Sequence, residues 1–132
     1  MTYWQFHQNN SGGSFIIDES AGISVNVIIE ADSSREANGL ATDIGLYFDG
    51  DGDCSCCGNR WSEVYDYDGD LTPTFYGADL DQPQDYLHDW ANGRVSLFVH
   101  HRDRIDGYKV SGKHFVQVDN PLVVPAKAPR LV

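Results

Sequence analysis

The three cysteines of this chain lie within four positions, at Cys54, Cys56 and Cys57. Two residues separate Cys54 from Cys57, and Gly58 follows, which is the spacing of a zinc knuckle. In such a turn two thiolates reach one metal ion, and the glycine permits the backbone to bend. The sequence therefore predicts a structural Zn²⁺ site with Cys54, Cys57 and Cys56 among its ligands.

The remaining zinc ligands must come from elsewhere, because the chain has no second cysteine pair and a closed zinc site needs four ligands. His100 and His101 are the leading candidates, since both lie on a predicted strand. Two other interpretations of the cysteines stay open, an unligated tight loop and a redox element. A calcium loop beginning at Asp49 is disfavoured, because Cys54 and Arg60 stand where such a loop needs Gly and Glu.

No catalytic motif accompanies the cysteines. The sequence contains no G-x-S-x-G, P-loop or H-E-x-x-H pattern. We therefore favour a protein that is not an enzyme. A metal-dependent hydrolase at the Cys/His site is the alternative, because a zinc ion with an open coordination position beside a general base can activate water.

The net charge of −11 is concentrated in the middle of the chain. Residues 43–89 hold 12 Asp or Glu and one base, Arg60, whereas acids and bases balance over the rest of the chain. Such a segment repels the phosphates of nucleic acid, which argues against a nucleic-acid partner, and it attracts basic protein surfaces or cations. A general role in solubility stays open.

Aromatic residues are interleaved with these acids. Aromatic side chains supply much of the binding energy at many protein interfaces, so we expect residues 49–89 to form a partner-binding surface. The expected anchors of this surface are Trp61, Tyr65, Tyr67, Tyr76 and Trp90.

A polar turn near the N-terminus is the second candidate binding element. It consists of Asn9, Asn10, Ser11, Gly12 and Gly13. A glycine-rich turn between strands presents free backbone N–H groups that can hold an anionic or nucleotide-like ligand. An ordinary hairpin loop is the other interpretation, because Gly-Gly pairs are common turn signals.

Alternating and β-branched patterns predict the strands that must position these residues. The predicted strands cover residues 3–7, 14–18, 23–31, 46–48, 61–65, 95–101 and 114–118. The second of them would return on the first as a hairpin, and Asp106-Gly107 predicts another hairpin turn that leads into residues 108–110.

One main helix is predicted directly after residues 23–31. Ser33 is placed as its N-cap, and Glu36 stands three residues later, which is a capping-box pattern. The helical spacing of the apolar residues predicts one buried stripe. It comprises Ala37, Leu40, Ala41 and Ile44.

The predicted fold is α+β, with an antiparallel or mixed β-sheet, one main helix on one face and a zinc-pinned loop. Residues 1–120 are expected to form a single domain, followed at 121–132 by an extended Pro-rich arm, since its prolines are incompatible with a helix. The arm is a candidate for contacts in a homo-oligomer.

No apolar run reaches the about 20 residues that span a bilayer. Together with the lack of a signal-peptide pattern, this predicts a cytoplasmic protein with no membrane partner.

Three stretches of the sequence resemble an uncharacterised family of small proteins encoded mainly by tailed bacteriophages. They are W-x-F-x-Q-N-N-S-G-G at 4–13, V-I-I-E-A-x-S-x-x-E-A-N at 27–38, and G-L-Y-F-D-G at 45–50 leading to D-C-x-C-C-G-x-R-W at 53–61. Similar proteins carry Pro in place of Ser55, which strengthens the zinc-knuckle interpretation of Cys54 and Cys57. They carry an aromatic residue in place of His101, which leaves open which histidine is a ligand.

The resemblance implies a phage-encoded accessory protein that acts in the host cytoplasm. Its expected partner is a host protein or a small ligand, in the setting of host takeover or counter-defence. A minor virion component is the alternative, and the Pro-rich arm at 121–132 is the feature that suggests it.

Overall fold

The computed structural model describes residues 2–9, 15–48, 60–85 and 87–118 of the 132-residue chain. Seven strands and one α-helix lie in these ranges, together with short 3-10 turns at Glu19–Ala21 and Asp66–Asp68. In chain order the strands and helix are β1 (Thr2–His7), β2 (Asn26–Ala31), α1 (Ser34–Ile44), β3 (Thr74–Phe75), β4 (Ala78–Asp79), β5 (Leu97–His100), β6 (Ile105–Ser111) and β7 (His114–Val118).

Five of the strands form a mixed sheet in the order β1-β2-β5-β6-β7. β2 and β5 run parallel, and the other neighbouring strands run antiparallel. The connection between β2 and β5 contains α1 and the small β3–β4 hairpin. One main helix with a mixed sheet makes the fold α+β, as the sequence predicts.

The helix forms where its capping pattern and apolar stripe predict it. Ser33 Oγ accepts a hydrogen bond from the Glu36 N–H at 3.1 Å, and Glu36 Oε1 accepts one from the Asp32 N–H at 2.7 Å. Ala37 and Ala41 are fully buried against the sheet. Both ends of the predicted capping box therefore take part in starting the helix, although the Glu36 side chain reaches one residue further back than the N-cap.

The sheet has an apolar core on each face. On the helix face, apolar residues of β1, β2 and α1 pack with Trp61 and Val64. On the opposite face, Phe75, Leu80 and Leu87 cover Ile28, Leu97, Val99 and Phe115. The acidic middle of the chain is therefore in part an ordered cover of the sheet, because Phe75, Leu80 and Leu87 pack against it.

Three predicted strands, at 14–18, 46–48 and 61–65, are absent from the described fold. Residues 15–17 have no regular structure, and Asp18 forms an isolated bridge with Ile23. β1 pairs with β2 instead, with Thr2 opposite Ala31 and His7 opposite Asn26. Residues 46–48 and 61–65 are also irregular, although Leu46 and Trp61 are buried under the helix. Their apolar character thus comes from core packing and not from strand pairing.

The predicted hairpin turn at Asp106-Gly107 is wrong. Both residues lie inside β6, where Gly107 is opposite Phe98 of β5. Gly107 is itself buried in β6, and the Phe98 side chain opposite it is fully buried. The chain turns instead between His101 and Arg104, whose backbone N–H and C=O are 2.8 Å apart.

Among the described residues, no helix is both long and apolar enough to cross a lipid bilayer. The Pro-rich arm at 121–132 and the boundary at residue 120 lie outside the described residues. The division of the chain into a domain and an arm therefore stays a prediction.

Candidate functional site

Gln8 joins three separate parts of the chain at the end of β1. Its side chain is fully buried, and its Oε1 accepts hydrogen bonds from the Ile16 N–H at 2.7 Å and from Arg60 Nη1 at 2.9 Å. Its Nε2 donates to the carbonyl oxygens of Ile16 at 3.0 Å and Ser24 at 3.2 Å. An amide side chain offers two donors and two acceptor lone pairs, so its hydrogen-bonding capacity is filled.

The same side chain explains why residues 15–17 do not form a strand. Both backbone polar groups of Ile16 bind the Gln8 amide, and these are the groups that would otherwise enter a strand ladder. We refer to Gln8, Asn9, Ile16, Ser24 and Arg60 as the Gln8–Arg60 junction.

The junction brings the flanks of the two sequence motifs together. The Asn9 N–H donates to the Arg60 carbonyl oxygen at 2.7 Å. Asn9 is the first residue of the polar turn, and Arg60 lies three residues after Cys57. The sequence suggested two independent sites, whereas the structure places their adjoining residues in contact.

The central residues of both motifs lie outside the described part of the chain. These are Asn10, Ser11, Gly12 and Gly13 of the polar turn, and Cys54, Cys56 and Cys57 of the zinc motif. Ligand binding at the turn and zinc binding at the cysteines therefore stay predictions, with Asn9 as the described member of the first set.

The two histidines proposed as zinc ligands have other contacts in the structure. His100 is buried, and its Nε2 lies 2.8 Å from the carbonyl oxygen of Gly22. A Cβ at residue 22 would lie 2.7 Å from this imidazole ring, and Gly22 also has a positive φ of 73°, so glycine is required there. His100 is thus held against the loop before β2.

His101 lies in a buried polar cluster on the other face of the sheet. Its Nδ1 is 3.1 Å from the Tyr3 hydroxyl, and its Nε2 is 3.1 Å from Asp106 Oδ2. Glu30 Oε1 lies 3.9 Å from Nδ1. Burial, followed by the charge of Glu30, raises the pKa of Tyr3. Both ring nitrogens of His101 are therefore engaged, and a role of either histidine in zinc binding stays a prediction.

Within the ranges that the structure describes, no three His, Cys, Asp or Glu side chains are grouped to hold a metal ion. The cysteines are outside those ranges.

A cleft of about 470 Å³ opens beside the Gln8–Arg60 junction. One wall is formed by β1 and Asn9. The other wall is formed by residues 62–70 together with the β3–β4 turn. Residues that matter for its chemistry are Gln5, His7, Glu63, Asp68, Asp70 and Tyr76. The cleft is thus polar and carries three carboxylates, and Asn9 at its edge connects it to the junction.

The acidic wall of the cleft is held to the helix by side-chain hydrogen bonds. Asn38 of α1 donates from Nδ2 to the Val64 carbonyl oxygen at 3.0 Å and accepts at Oδ1 from the Val64 N–H at 2.9 Å. Ser34 Oγ donates to Asp66 Oδ1 at 2.5 Å. The Asn38 side chain thus pairs with both backbone polar groups of Val64, as a neighbouring strand would do. This pairing fixes the position of the irregular segment around Val64.

The same wall is held to β1 by its backbone. The Tyr3 N–H donates to the Asp70 carbonyl oxygen at 2.7 Å, and the Asp70 N–H donates to the Tyr3 carbonyl oxygen at 2.9 Å. The close approach requires Gly69, since a Cβ there would lie 2.4 Å from Thr2 Cγ2 and 3.0 Å from the Trp4 ring. Residues 64–70 are thus attached at both ends.

Tyr76 forms the rim of the cleft in an unusual backbone conformation. Its φ is 49°, and its N–H donates to Gln5 Oε1 at 2.9 Å. Its ring centroid lies 5.6 Å from that of His7, while 65 % of the residue remains exposed. Non-glycine residues rarely adopt a positive φ, and in native folds such conformations concentrate at functional sites.

Residues 62–81, which we call the acidic face, carry negative charge that the described fold does not neutralise. Their six carboxylates make no ion pair with any described residue. They are Glu63, Asp66, Asp68, Asp70, Asp79 and Asp81. Outside this segment, Glu19, Glu30 and Glu36 each lie within 4 Å of a basic or imidazole nitrogen.

Exposed tyrosines accompany these carboxylates. Tyr65 and Tyr67 are stacked, with ring centroids 5.9 Å apart and an interplanar angle of 19°, and Tyr67 is 84 % exposed. Trp90 is also exposed, but it contacts Phe15 and His88 and is not part of the cleft. Three of the expected anchors, Tyr65, Tyr67 and Tyr76, therefore lie on the acidic face.

Trp61 is not a surface anchor. Only 2 % of the residue is exposed, and it packs in the helix-face core with Trp4 and Phe6. Burial of a large apolar ring is favourable by about 2–3 kcal/mol or more. In the free protein the Trp61 ring is therefore more stable in the core than at the surface. Val64, three residues later, is buried in the same core.

A family model matches residues 1–116, and its description is "Domain of unknown function (DUF7296)". The chain belongs to the DUF7296 family. The match spans β1 to β6 and therefore includes the Gln8–Arg60 junction and the acidic face. Neither a search of curated proteins nor a search of solved structures found a match.

Proposed function

We propose that this protein is a non-enzymatic binding protein that engages a basic surface of a partner protein through the acidic face. The observation that carries this proposal is the set of six carboxylates without an ion pair among the described residues, on a segment held in place from two sides. Negative potential on a fixed surface attracts and orients a basic partner.

Ordered geometry distinguishes this proposal from a role in solubility alone. Solubility requires net charge but no particular arrangement of the charged segment. The acidic face is instead fixed by Asn38, by the backbone pairing of Tyr3 with Asp70, and by Gln5. Exposed tyrosine rings beside the carboxylates add apolar contact area that solubility does not need.

The setting of this binding follows from the sequence resemblance. Phage proteins with the same three stretches support a phage-encoded accessory protein that acts on a host protein in the host cytoplasm. Host takeover and counter-defence are the activities that fit a small, acidic protein without a catalytic motif.

A structural Zn²⁺ ion is the second part of the proposal. Bound by Cys54, Cys57 and Cys56 and completed by a histidine, it would hold the cysteine stretch, which joins the fold at Arg60. This stretch has few apolar residues, so metal ligation supplies the stabilisation that burial does not.

The binding proposal can be tested with an oligolysine peptide and two matched double variants. Glu63→Gln/Asp81→Asn neutralises two exposed carboxylates of the acidic face, and Asp32→Asn/Asp103→Asn neutralises two exposed carboxylates elsewhere. Affinity is measured by calorimetry. The first variant is expected to weaken binding about three- to tenfold and the second to have little effect.

An equal loss of affinity in both variants would mean that only total charge matters. No binding of the oligolysine peptide to the wild-type protein would likewise contradict the proposal.

A further inference from the structure

We propose that the cleft beside the Gln8–Arg60 junction is a recognition pocket for an arginine side chain of a basic polypeptide. The inference rests on the proposed function and names the group that the acidic face would hold. Its volume of about 470 Å³ lies within the range of pockets for small organic groups, about 300–1,000 Å³.

The carboxylates of the cleft are oriented and retain free acceptor capacity. Asp68 Oδ2 accepts a hydrogen bond from the Tyr65 N–H at 2.7 Å, and Asp70 Oδ2 accepts one from the Thr74 hydroxyl at 2.7 Å. Each carboxylate has about four acceptor positions, so both can accept further donors. Glu63 is exposed on the same wall. The site is thus preorganised for a group with several donors and a positive charge.

Tyrosine rings complete the recognition of a planar cation. Tyr67 and Tyr76 both line the cleft, and the Tyr76 backbone is held by Gln5. A guanidinium stacks on aromatic faces and donates in pairs to carboxylates, whereas an ammonium is a compact, strongly hydrated charge. This combination of rings and carboxylates favours arginine over lysine.

Gln5 supplies an observation that does not depend on the acidic residues. Its Oε1 is assigned by the hydrogen bond from the Tyr76 N–H, which directs Nε2 the other way. Nε2 is buried and has no hydrogen-bond partner among the described residues. Nε2 is closed off from solvent, so a ligand acceptor would reach it only if the Gln5 amide turned toward the cleft, and such an acceptor would remove the cost of about 1–3 kcal/mol of an unsatisfied buried donor. A peptide carbonyl oxygen is such an acceptor, which points to a polypeptide and not to a simple cation.

The test compares three forms of one short peptide that differ at a single position, which holds arginine, lysine or citrulline. Citrulline keeps the shape of arginine and removes its charge. Calorimetry on the full chain is expected to rank arginine first, lysine second and citrulline last, with about a tenfold loss for citrulline. NMR shifts on binding arginine peptide are expected at the Gln5 side-chain amide and at the backbone N–H groups of Tyr67 and Tyr76.

Matched ring variants locate the site. Tyr67→Leu removes an exposed ring of the cleft and is expected to weaken arginine-peptide binding about two- to fivefold. Trp90→Leu removes an exposed ring outside the cleft and is expected to leave the affinity unchanged. Both residues are more than half exposed, so both variants should fold, which circular dichroism confirms.

The outcomes separate this inference from the proposed function. Equal binding of the arginine and lysine peptides, together with no effect of Tyr67→Leu, would overturn the arginine pocket. The acidic face would still be supported if Glu63→Gln/Asp81→Asn weakened oligolysine binding. Shifts confined to residues outside the cleft would overturn the pocket as well. Conversely, specific arginine binding in the cleft without oligolysine binding would support the pocket and contradict the wider acidic face.

Discussion

At the scale of single residues, the buried amide of Gln8 connects several separate segments of the described fold. It holds the end of β1, Ile16, Ser24 and Arg60 through hydrogen bonds of 2.7–3.2 Å. A neutral side chain suits this position, because a buried charge would need its own partner. Gln8 therefore helps to hold in place the residues next to the polar turn and next to the cysteines.

Replacing Gln8 by Leu is expected to destabilise the protein by more than about 3 kcal/mol, because several buried polar groups lose their partner at about 1–3 kcal/mol each. Urea unfolding measures the change. Gln117→Leu is the control, since Gln117 is exposed on β7 and its loss should change stability little. A Gln8→Leu variant as stable as this control would contradict the role given to the junction.

Tyr3 makes stability depend on alkaline pH. Its pKa is raised above the ordinary value of 10.0, chiefly by burial and then by Glu30, and burial also raises the pKa of Tyr108. The folded protein therefore binds the phenol proton more tightly than the unfolded chain does. Stability from this source is complete below about pH 10 and is lost as the pH rises through the folded-state pKa.

The Tyr3→Phe variant is accordingly expected to show a shallower loss of unfolding free energy above about pH 10 than the wild type. Denaturant unfolding at a series of pH values measures the slope. Because Phe also lacks the hydroxyl that contacts His101, the variant should be less stable at neutral pH. An unchanged alkaline slope would show that Tyr3 is not buried in this way.

The zinc prediction also belongs to single residues. Protein purified without added metal is expected to contain about one zinc per chain, and chelation should lower the melting temperature because a structural site contributes directly to folding. Cys54→Ser should reproduce that loss. Since the cysteine stretch joins the fold at Arg60, chelation should also shift the NMR signals of Gln8 and Asn9. Metal-free protein with the same melting temperature would contradict the prediction.

At the scale of elements, α1 has two roles. It covers one face of the sheet with Ala37 and Ala41, and it positions the acidic face through Asn38 and Ser34. The second role explains how a segment without strands of its own keeps a defined path between residues 64 and 70. The helix thus links the core of the fold to its candidate binding surface.

Asn38→Ala is expected to lower stability by about 1–3 kcal/mol, because both backbone polar groups of Val64 lose their partner. Hydrogen exchange at the Val64 amide should become faster, and binding by the acidic face should weaken. Thr42→Ala is the control, since its hydroxyl bonds only to the Asn38 carbonyl oxygen within the exposed side of the same helix. Equal exchange rates at Val64 in the two variants would contradict the positioning role.

The elements also show what the sequence could and could not predict. The helix was predictable because its signals are local, from Ser33 to the stripe at Ala37 and Ala41. The absence of the strand expected at 14–18 was not predictable. The Gln8 side chain binds the backbone groups of Ile16, and this contact forms only in the folded chain. The turn signal at Asp106-Gly107 misled for a similar reason, since both residues pair with the distant strand β5.

The candidate site was predictable in its chemistry but not in its assembly. Exposed Tyr67 and Tyr76 lie among carboxylates, as the composition of that segment indicated. Burial of Trp61 and the free donor of Gln5 follow from contacts between distant segments, which residue type and spacing do not encode. Contact between Asn9 and Arg60 likewise became evident only in the fold.

At the scale of the whole molecule, charge is distributed unevenly over an otherwise ordinary α+β fold. The net charge is −11, and residues 62–81 contribute six carboxylates and no base. The arginines of the described region lie elsewhere, and Arg94, Arg102 and Arg104 pair with nearby carboxylates. The described part of the chain therefore includes a surface of excess negative charge, on which a basic partner would be steered and oriented.

The most direct measurement of this central claim is the association rate of a fluorescent oligolysine peptide, followed by stopped flow as salt rises from about 0.05 to about 0.5 M. For the wild-type protein the rate is expected to fall steeply, because screening removes long-range attraction. Glu63→Gln/Asp81→Asn should associate more slowly at low salt and approach the wild-type rate at high salt. Association rates that do not depend on salt, or that are equal for the two proteins at low salt, would contradict the account.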